Sequence, residues 1–407
     1  MYIKRHMEET VMKYSKMFDA VMLTGSRQVG KTTMLRTVTD GYTYVTLDDP
    51  VLLQSAINEA GTFFKDSPPP VFVDEIQYAP NLFPYIKMYA DKEHKAGQFF
   101  LSGSQQFKMM KNVSESLAGR IGVLNLAGLS LREICGVGFD KPFIPTAEYF
   151  VERREDIKET DYKDIWKIIH RGGMPRLNAD PEMDRQAFYA SYFKTYIERD
   201  VRELAQVGDE LKFYKFMTSI AASIGQLVNL AAISRDVGIS QPTADRWLSI
   251  LQTSNVICLL QPYHNNITKR AIKTPKVYFM DTGLAAYLTR WPTPETLQVG
   301  AQAGAFFVNF VVTEIFKSFY NAGIIEPPLY FYRDKEQNEI DLLIQEGDAL
   351  HPIEIKKNAD PKRDDISAFG VLDKISGITR GSGGVVCMYD SLITLENEDK
   401  VVPVKFL

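Results

Sequence analysis

The chain has 407 residues, of which 45% are hydrophobic and 24% are charged, and its formal net charge at pH 7 is -4. These proportions are those of soluble globular domains, so they exclude a disordered or fibrous chain, and the length predicts about two to four domains. Because the chain as a whole is weakly acidic, its overall field does not attract nucleic acid, and any nucleic-acid surface must be a local basic patch.

The sequence indicates neither a membrane segment nor a metal site built from cysteine or histidine. The first ten residues, MYIKRHMEET, are charged from the fourth position onward, and no run of about 18 apolar residues occurs. Cys135, Cys258 and Cys387 are far apart and odd in number, which favours reduced core thiols over disulfides or zinc ligands. We therefore expect a cytoplasmic protein without membrane contact.

From Met1 to about Arg132, short apolar runs alternate with amphipathic segments of helical length. The apolar runs are AVMLT, YTYVTL, PVFVD, QFFLSG and IGVLNL. Strands that are separated by helices predict a parallel sheet with helices on both faces, which is a three-layer α/β arrangement. We assign this domain to residues 1–140.

A phosphate-binding loop follows the first of these strands. The segment Gly25–Thr32 matches G-x-x-x-x-G-K-[ST] in full and lies between a strand and a helix, as in P-loop nucleoside triphosphatases. Its backbone N–H groups can point at phosphate oxygens, and the following helix adds the positive end of its dipole. We expect Lys31 to contact the β- and γ-phosphates of ATP and the Thr32 hydroxyl to bind Mg²⁺. The predicted nucleotide-binding residues are Gly25, Ser26, Arg27, Gln28, Val29, Gly30, Lys31, Thr32 and Thr33.

The strand PVFVD ends at Asp74, which Glu75 follows directly. Ligands bind at this edge of a parallel sheet, so we expect Asp74 to hold Mg²⁺ through water and Glu75 to polarise the attacking water as a general base. The alternative is that both acids only cap the next helix. After the strand QFFLSG, we predict that the Ser104 hydroxyl holds the attacking water or senses the γ-phosphate, with Ser102 as the alternative.

Arg120 lies immediately before the last of the five predicted strands. A guanidinium in this position could reach the negative charge that develops in the transition state. It would act within its own chain or, in an oligomer, in the site of a neighbouring subunit. A surface ion pair is the alternative interpretation.

Prolines interrupt the periodicity around Phe139–Thr146, which indicates a linker or a packed loop. Residues 141–208 then place charged and aromatic residues at helical spacing and are interpreted as a helical connector. In residues 209–290, LAAISRDVGIS and QPTADRWLSILQ predict two helices, and VICLLQPY and KVYFMD predict two strands. This order is typical of a winged helix-turn-helix.

A winged helix would contact double-stranded DNA through its second helix and its wing. The predicted recognition helix is Gln241–Thr253, and its candidate contact residues are Gln241, Thr243, Asp245 and Arg246. The predicted wing has cations but no acid, which suits phosphate contact. These cations are Lys269, Arg270, Lys273 and Lys276. The alternative is a winged helix that contacts a protein partner or only packs within the chain.

Residues 291–407 predict a second α/β domain, with a long helix followed by strands at LYFYR, EIDLLI and HPIEIKK. Glu354 and Lys356 are two residues apart on one strand, so their side chains point to the same face. Asp341 interrupts an apolar run, and a carboxylate in that position is costly to bury unless a cation meets it.

The motifs GSRQVGKTT, FVDEIQ, FFLSGS and SLAGR occur in this order, and the chain thereby resembles the AAA-type P-loop ATPases of bacteria and archaea that carry a C-terminal domain of unknown function. The later segments GGMPRL, TYIERDV, KVYFMDTGL and PIEIKK resemble the same family, so the similarity covers nearly the whole chain. The resemblance implies the roles already given to Lys31, Thr32, Asp74 and Glu75, and it suggests Arg120 as an arginine finger.

Asp341, Glu354 and Lys356 form D-x(n)-E-x-K, which resembles the metal-dependent PD-(D/E)XK nuclease core. In that core the acids bind Mg²⁺ and the lysine steadies the attacking hydroxide. Glu314, on the preceding helix, could supply a further acid. Relatives often begin this helix with a Phe-Glu-Asn-like segment, whereas this chain has FVN at residues 307–309 and lacks that carboxylate. A nuclease-like fold that serves only binding or assembly is the alternative.

Three functions are therefore open. The first is an ATPase motor or switch whose cycle repositions a DNA-contacting C-terminal half. The second is a scaffold or regulator that holds ATP to order its domains for protein partners. The third is an ATP-regulated nuclease that uses Asp341, Glu354 and Lys356.

Overall fold

The structure is a computed structural model that describes residues 2–104, 117–157, 161–195, 210–264 and 274–407. In this part of the chain no helix combines the length and the apolar character that are needed to cross a lipid bilayer. The described strands form two sheets, one in the amino-terminal region and one in the carboxyl-terminal region.

The amino-terminal sheet is built from five described strands. They are β1 (Ala20–Thr24), β2 (Thr43–Thr46), β3 (Val71–Asp74), β4 (Phe99–Ser102) and β5 (Ile121–Asn125). All pair in parallel, in the order β2-β3-β4-β1-β5, and Val21 of the inner strand β1 lies opposite Phe100 and Gly122. Each strand falls on one of the five apolar runs of the sequence, so the predicted parallel sheet is confirmed.

Helices cover both faces of this sheet. They are α1 (Met7–Ser15), α2 (Lys31–Val38), α3 (Pro50–Asn58), α4 (Ala60–Asp66) and α5 (Phe83–Glu93). Val21 and Phe100 pack in one buried cluster with α1 and α2, whereas Met22 and Leu101 pack in a second cluster with α3, α4 and α5. Successive strand residues point to opposite faces, so both faces are apolar and covered. This is the three-layer α/β fold that the sequence predicts.

Short helices follow the sheet. They are α6 (Leu131–Cys135), α7 (Ala147–Asp156), α8 (Tyr162–Arg171), α9 (Pro175–Ala179) and α10 (Arg185–Tyr192). The segment before α7 is a packed loop and not an open linker, because Phe143 is buried against Tyr149 and its N–H donates to Ser318 Oγ at 3.0 Å. The predicted boundary at this segment is therefore in direct contact with the carboxyl-terminal region.

Three helices and a hairpin form the middle region. They are α11 (Glu210–Ala222), α12 (Leu230–Val237), α13 (Gln241–Thr253), β6 (Ile257–Pro262) and β7 (Lys276–Phe279). Gly238 ends α12 with a φ of 74°, and the Ser240 hydroxyl caps α13 by accepting from the Thr243 N–H at 3.2 Å. β6 and β7 are antiparallel, with Ile257 opposite Phe279. The predicted helices and strands of this region are present in the predicted order.

The carboxyl-terminal sheet includes this hairpin. Its other strands are β8 (Leu329–Arg333), β9 (Glu339–Glu346), β10 (Ala349–Lys356), β11 (Thr379–Arg380), β12 (Gly384–Cys387), β13 (Ile393–Glu396) and β14 (Asp399–Pro403). The order is β13-β14-β12-β10-β9-β8-β6-β7, with β11 beside β10. β6 pairs in parallel with β8 through Gln261 and Tyr330. A boundary between residues 290 and 291 therefore divides one continuous sheet, since β6 covers the edge that β8 would otherwise expose.

Three helices follow β7, and the first and the last of them pack against this sheet. They are α14 (Thr282–Leu288), α15 (Pro294–Val299) and α16 (Ala303–Asn321). The 3₁₀ segments in the described part of the chain are Ile76–Tyr78, Pro80–Leu82, Arg363–Lys374 and Val404–Phe406. Asn309 of α16 is fully buried, and its amide exchanges two hydrogen bonds of 2.8 Å with the backbone of Phe279. Asn309 thus joins α16 to the end of β7, which gives the FVN segment a structural role.

Candidate nucleotide site

The loop between β1 and α2 depends on left-handed backbone conformations. The φ angles are 141° at Gly25, 62° at Gln28 and 93° at Gly30. A Cβ atom on Gly25 would lie 2.2 Å from the carbonyl oxygen of Leu126, so a larger residue does not fit there. Because α2 starts at Lys31, the N–H groups of its first turn have no partners within the helix and suit an anion.

Lys31 is buried inside this loop. Its ammonium donates to the carbonyl oxygens of Gly25 at 2.9 Å and Ser26 at 2.8 Å. Burial lowers the pKa of Lys31 to about 8, and the carboxylates of Glu75 and Asp74 partly oppose this decrease. The cation is therefore held where the sequence predicts phosphates.

Asp74 and Thr32 are in direct contact, as a shared Mg²⁺ site requires. Thr32 Oγ1 lies 2.9 and 3.0 Å from the two carboxylate oxygens of Asp74. The hydroxyls of Tyr44, at 3.2 Å, and of Ser102 donate to the same carboxylate. Carboxylate and hydroxyl oxygens are ligands that Mg²⁺ prefers, so this donor set fits the predicted ion. Ser102, the alternative to Ser104, is the serine that contacts Asp74, and Tyr44 is a member that the sequence did not reveal.

Glu75 follows β3 in a left-handed conformation, with a φ of 58° that is uncommon for a residue with a side chain. Its carboxylate accepts a hydrogen bond from the Gln77 amide, and the same amide nitrogen lies 3.5 Å from Ser104 Oγ. Burial raises the pKa of Glu75, and Lys31 partly opposes the increase. The Glu75 side chain makes no capping hydrogen bond to the 3₁₀ segment that follows it. Gln77 is the link between Glu75 and Ser104.

A cavity of about 710 Å³ lies over these groups. Lys31, Thr32 and Glu75 form part of its wall, and so do residues that precede α1 and residues of α9. The latter residues are Tyr2, Ile3, Pro175, Arg176 and Ala179. The segment GGMPRL, to which the sequence assigned no role, thus faces the phosphate loop and brings an arginine to it.

Arg5 fixes the phosphate loop to the end of the sheet. Its guanidinium is buried and donates to the carbonyl oxygens of Val29 and Ala127, each at 2.8 Å, and to the carboxylate of Glu133 at 3.0 Å. Burial opposes the ionisation of Glu133, but Arg5 and His6 outweigh it and hold the pKa of that carboxyl below its ordinary value. No local pattern marks Arg5, because its partners are far away in the sequence.

Arg120 lies at the opposite edge of the sheet. Its carbonyl oxygen accepts from the Ala20 N–H at the amino end of β1, whereas the phosphate loop follows the carboxyl end. Five strand residues separate these ends by about 16 Å at roughly 3.3 Å per residue. The Arg120 side chain pairs with Asp91 at the surface. In this conformation Arg120 cannot reach a nucleotide of its own chain. The surface ion pair is present, and a role in the site of a neighbouring subunit stays a prediction.

The candidate nuclease residues are only partly together. Lys356 pairs with Glu354 at 2.7 Å, and Asp341 accepts from the Ile355 N–H at 3.0 Å. Glu314 does not join them: its carboxylate accepts from the Leu131 N–H at 2.6 Å and pairs with Lys317 at 2.7 Å. The expectation that Glu314 adds a further acid is wrong, because one of its oxygens is bonded to α6 and the other to Lys317 of α16. Within the described ranges, no three carboxylate, histidine or cysteine side chains are grouped so as to hold a metal.

The residues that the sequence predicts to contact DNA differ in exposure, and some of them lie outside the described residues. On α13, Gln241, Asp245 and Arg246 are exposed and Thr243 is half-buried. Lys269, Arg270 and Lys273 lie outside the described residues, as does most of TYIERDV. Lys276 is buried and pairs with Glu339 at 2.5 Å. Its predicted contact with phosphates is therefore wrong, since a neighbouring carboxylate already neutralises it.

Residues 18–135 match the model of an AAA domain. The amino-terminal part of the chain is therefore similar to AAA-type P-loop domains. The models of two domains of unknown function match later parts of the chain, DUF8612 over residues 162–295 and DUF4143 over residues 303–407.

Two uncharacterized mycobacterial proteins are similar to most of this chain. Rv2008c of Mycobacterium tuberculosis and Mb2031c of Mycobacterium bovis are each 29% identical to it over 354 residues, which are 84% of this chain and 71% of theirs. Among solved structures, the Walker-type ATPase PABY2304 of Pyrococcus abyssi has a TM-score of 0.43 and 14% identity, over 70% of this chain and 96% of that chain. AMPPCP-bound DnaA from Aquifex aeolicus has a TM-score of 0.30 and 14% identity, over 60% of this chain and 85% of that chain.

Proposed function

We propose that the protein binds ATP with Mg²⁺, hydrolyses it, and uses the cycle to move its middle and carboxyl-terminal regions. The observation that carries this proposal is the convergence of Lys31, the Thr32–Asp74 contact and Glu75 on one cavity. Each group has the chemistry that one part of phosphoryl transfer requires.

The proposed roles follow from the contacts of each group. Lys31 exchanges its two loop carbonyls for phosphate oxygens, and Thr32 and Asp74 hold the ion, which neutralises charge on the β- and γ-phosphates when it is bound. Glu75 accepts the proton of the attacking water, a task that its raised pKa favours. Gln77, between Glu75 and Ser104, keeps the carboxylate oriented.

Coupling is supported by the second wall of the cavity. Pro175, Arg176 and Ala179 belong to α9, which begins two residues after a Gly173 backbone bonded to Leu129 and Asp281. A nucleotide in the cavity would therefore touch a segment that is tied to the middle region. We propose that contact of Arg176 with the nucleotide is the step that transmits its state, and that α13 contacts double-stranded DNA. A regulator that uses the same movement to bind a protein partner is the alternative.

Replacing Glu75 by glutamine tests the hydrolysis step. Glu75→Gln keeps the size and the hydrogen bond to Gln77 but cannot take a proton, so kcat should fall by about 10²- to 10⁴-fold. Affinity for a fluorescent ATP analogue with Mg²⁺ should change little. Lys31→Ala is the matched control, and it should lose binding. A Glu75→Gln protein that retains kcat within a few-fold of the wild type would show that Glu75 is not the base.

A further inference from the structure

Five charged side chains meet where β7, β9 and β10 approach one another. They are Lys276 on β7, Glu339 and Asp341 on β9, and Glu354 and Lys356 on β10. Residues two apart on a strand share a face, so each pair on β9 and β10 points the same way. We call these five residues the carboxylate–lysine cluster.

Lys276 is the most enclosed cation of this cluster. Its side chain is 5% exposed, and its ammonium lies 2.5 Å from Glu339 Oε1, 3.9 Å from Asp341 Oδ1 and 5.1 Å from the centre of the Phe331 ring. A buried ammonium is stable only where negative groups surround it. Lys276 therefore lies within ion-pair distance of two carboxylates.

The pKa values of the carboxyl groups in the cluster reflect their burial and the neighbouring cations. Burial raises the pKa of Asp341, and Lys276 opposes that increase. Burial and the neighbouring Asp341 raise the pKa of Glu354 to about 7, and Lys356 opposes that increase. Three carboxylates thus face two ammonium groups, with the guanidinium of Arg333 3.7 Å from Glu339 at the rim. These three cations balance the three carboxyl groups even when all of them are ionised.

A metal-dependent nuclease core does not fit this arrangement, because its Asp and Glu must keep a negative site open for the ion. We propose that the Lys276 ammonium is the resident cation of the carboxylate–lysine cluster, that it excludes Mg²⁺ and Mn²⁺ from Asp341, and that the cluster is an ionic joint between β7 and the strands β9 and β10 of the same sheet. The proposal is independent of the ATPase function.

Manganese binding to the nucleotide-free, full-length protein tests this. We would titrate Mn²⁺ and follow the free ion by electron paramagnetic resonance, for the wild type, Asp341→Asn, Lys276→Met and the double variant. The wild type should have no Mn²⁺ site at the cluster, so Asp341→Asn should leave its Mn²⁺ binding unchanged. Lys276→Met should gain a stoichiometric site, and the double variant should lose it. Ions held at Asp74 survive Asp341→Asn and are thereby distinguished.

Thermal unfolding gives a second readout with a matched control. Lys276→Met should lower the melting temperature, and Mn²⁺ should restore part of the loss, because an ion that binds only the folded state stabilises it. Lys317→Met also removes a buried lysine, 2.7 Å from Glu314, but it should lower the melting temperature without any response to Mn²⁺ beyond that of the wild type. Lys276→Arg keeps the charge and should not gain a site.

Two results would overturn the proposal. One is a wild-type Mn²⁺ site that Asp341→Asn abolishes, a comparison that needs no folded Lys276 variant. The other is a folded Lys276→Met protein that binds no Mn²⁺ at the cluster, because the lysine is then not what excludes the ion.

Discussion

Lys31 combines a buried charge with a pKa near the physiological range, and this makes the proposed ATP site sensitive to pH. Burial lowers its pKa to about 8, so the nucleotide-free protein loses this cation as the pH rises through that value. The affinity for ATP should therefore decrease between pH 7 and about 9.5, since the neutral amine no longer attracts phosphate. Fluorescent-nucleotide titrations at constant Mg²⁺ would measure it.

The lowered pKa of Lys31 also determines whether folding stability rises or falls with pH. An unfolded lysine keeps its proton up to a higher pH than the buried one, so between about pH 8 and 10.5 the unfolded chain binds more protons and Lys31 favours folding increasingly as the pH rises. The loss of ATP affinity is then not a loss of fold. The Lys31→Ala variant, which binds ATP weakly at every pH, should show no such dependence of ATP affinity on pH. An equally steep trend in that variant would assign the titration to another group.

Individual residues differ in how far the sequence determines them. Thr32 and Asp74 could be paired in advance, because a complete loop motif and a strand end meet at one edge of a parallel sheet. Arg5 and Lys276 could not, because their partners are brought to them only by the tertiary fold. Lys276 looked like a wing cation only because its sequence neighbours are basic.

At the scale of elements, one buried guanidinium joins the segment before α1 to α6 by an ion pair and to the phosphate loop by a hydrogen bond. Arg5 and Glu133 are 3% and 0% exposed, whereas Arg120 and Asp91, in the surface pair, are 35% and 42% exposed. Arg5→Ala should lower the free energy of unfolding by about 3–5 kcal/mol, because it leaves the Glu133 charge buried and unpaired. Urea unfolding followed by circular dichroism would measure this.

The surface pair is the matched control for that experiment. Arg120→Ala should change stability by only about 0–1 kcal/mol, because water already solvates both of its charges. Adding Glu133→Gln to Arg5→Ala should recover part of the loss, since the remaining partner is then neutral. Equal effects of Arg5→Ala and Arg120→Ala would show that the buried pair does not hold these elements together.

The placement of α16 shows what element-level patterns leave open. Its length and apolar content predicted a helix, and the helix is present. Nearly all of its side chains are buried, so no polar stripe indicates which neighbour each face meets. Glu314 was therefore expected to add a further acid to Asp341 and Glu354, whereas it contacts α6. The pairing of β6 with β8 was equally hidden, because each strand appears complete by itself.

At the scale of the whole molecule, Arg120 is remote from its own phosphate loop, so an arginine finger requires a second copy of the chain. Mixing Arg120→Ala with Lys31→Ala should then restore part of the ATPase activity, because some interfaces join an intact loop to an intact Arg120. A mixture of Lys31→Ala and Glu75→Gln should restore none, since both defects lie in the same half of the site. If the first mixture restores no activity and Arg120→Ala alone is fully active, Arg120 is not an arginine finger. Its role would then be the ion pair with Asp91.

The proposed coupling to DNA is also a property of the whole chain, because the cavity and α13 are in different regions. If ATP contact with α9 and DNA contact with α13 and the predicted wing stabilise one conformation, double-stranded DNA should raise kcat several-fold at low salt. The increase should fade as salt rises, since phosphate contacts release counterions. Replacing Lys269, Arg270 and Lys273 together by glutamate should abolish the stimulation and leave basal turnover unchanged, whereas Lys276→Arg, at a buried cation, should keep it. Turnover that ignores DNA at every salt concentration would instead favour a protein partner, because the nucleotide cavity would remain joined to the middle region without any role for nucleic acid.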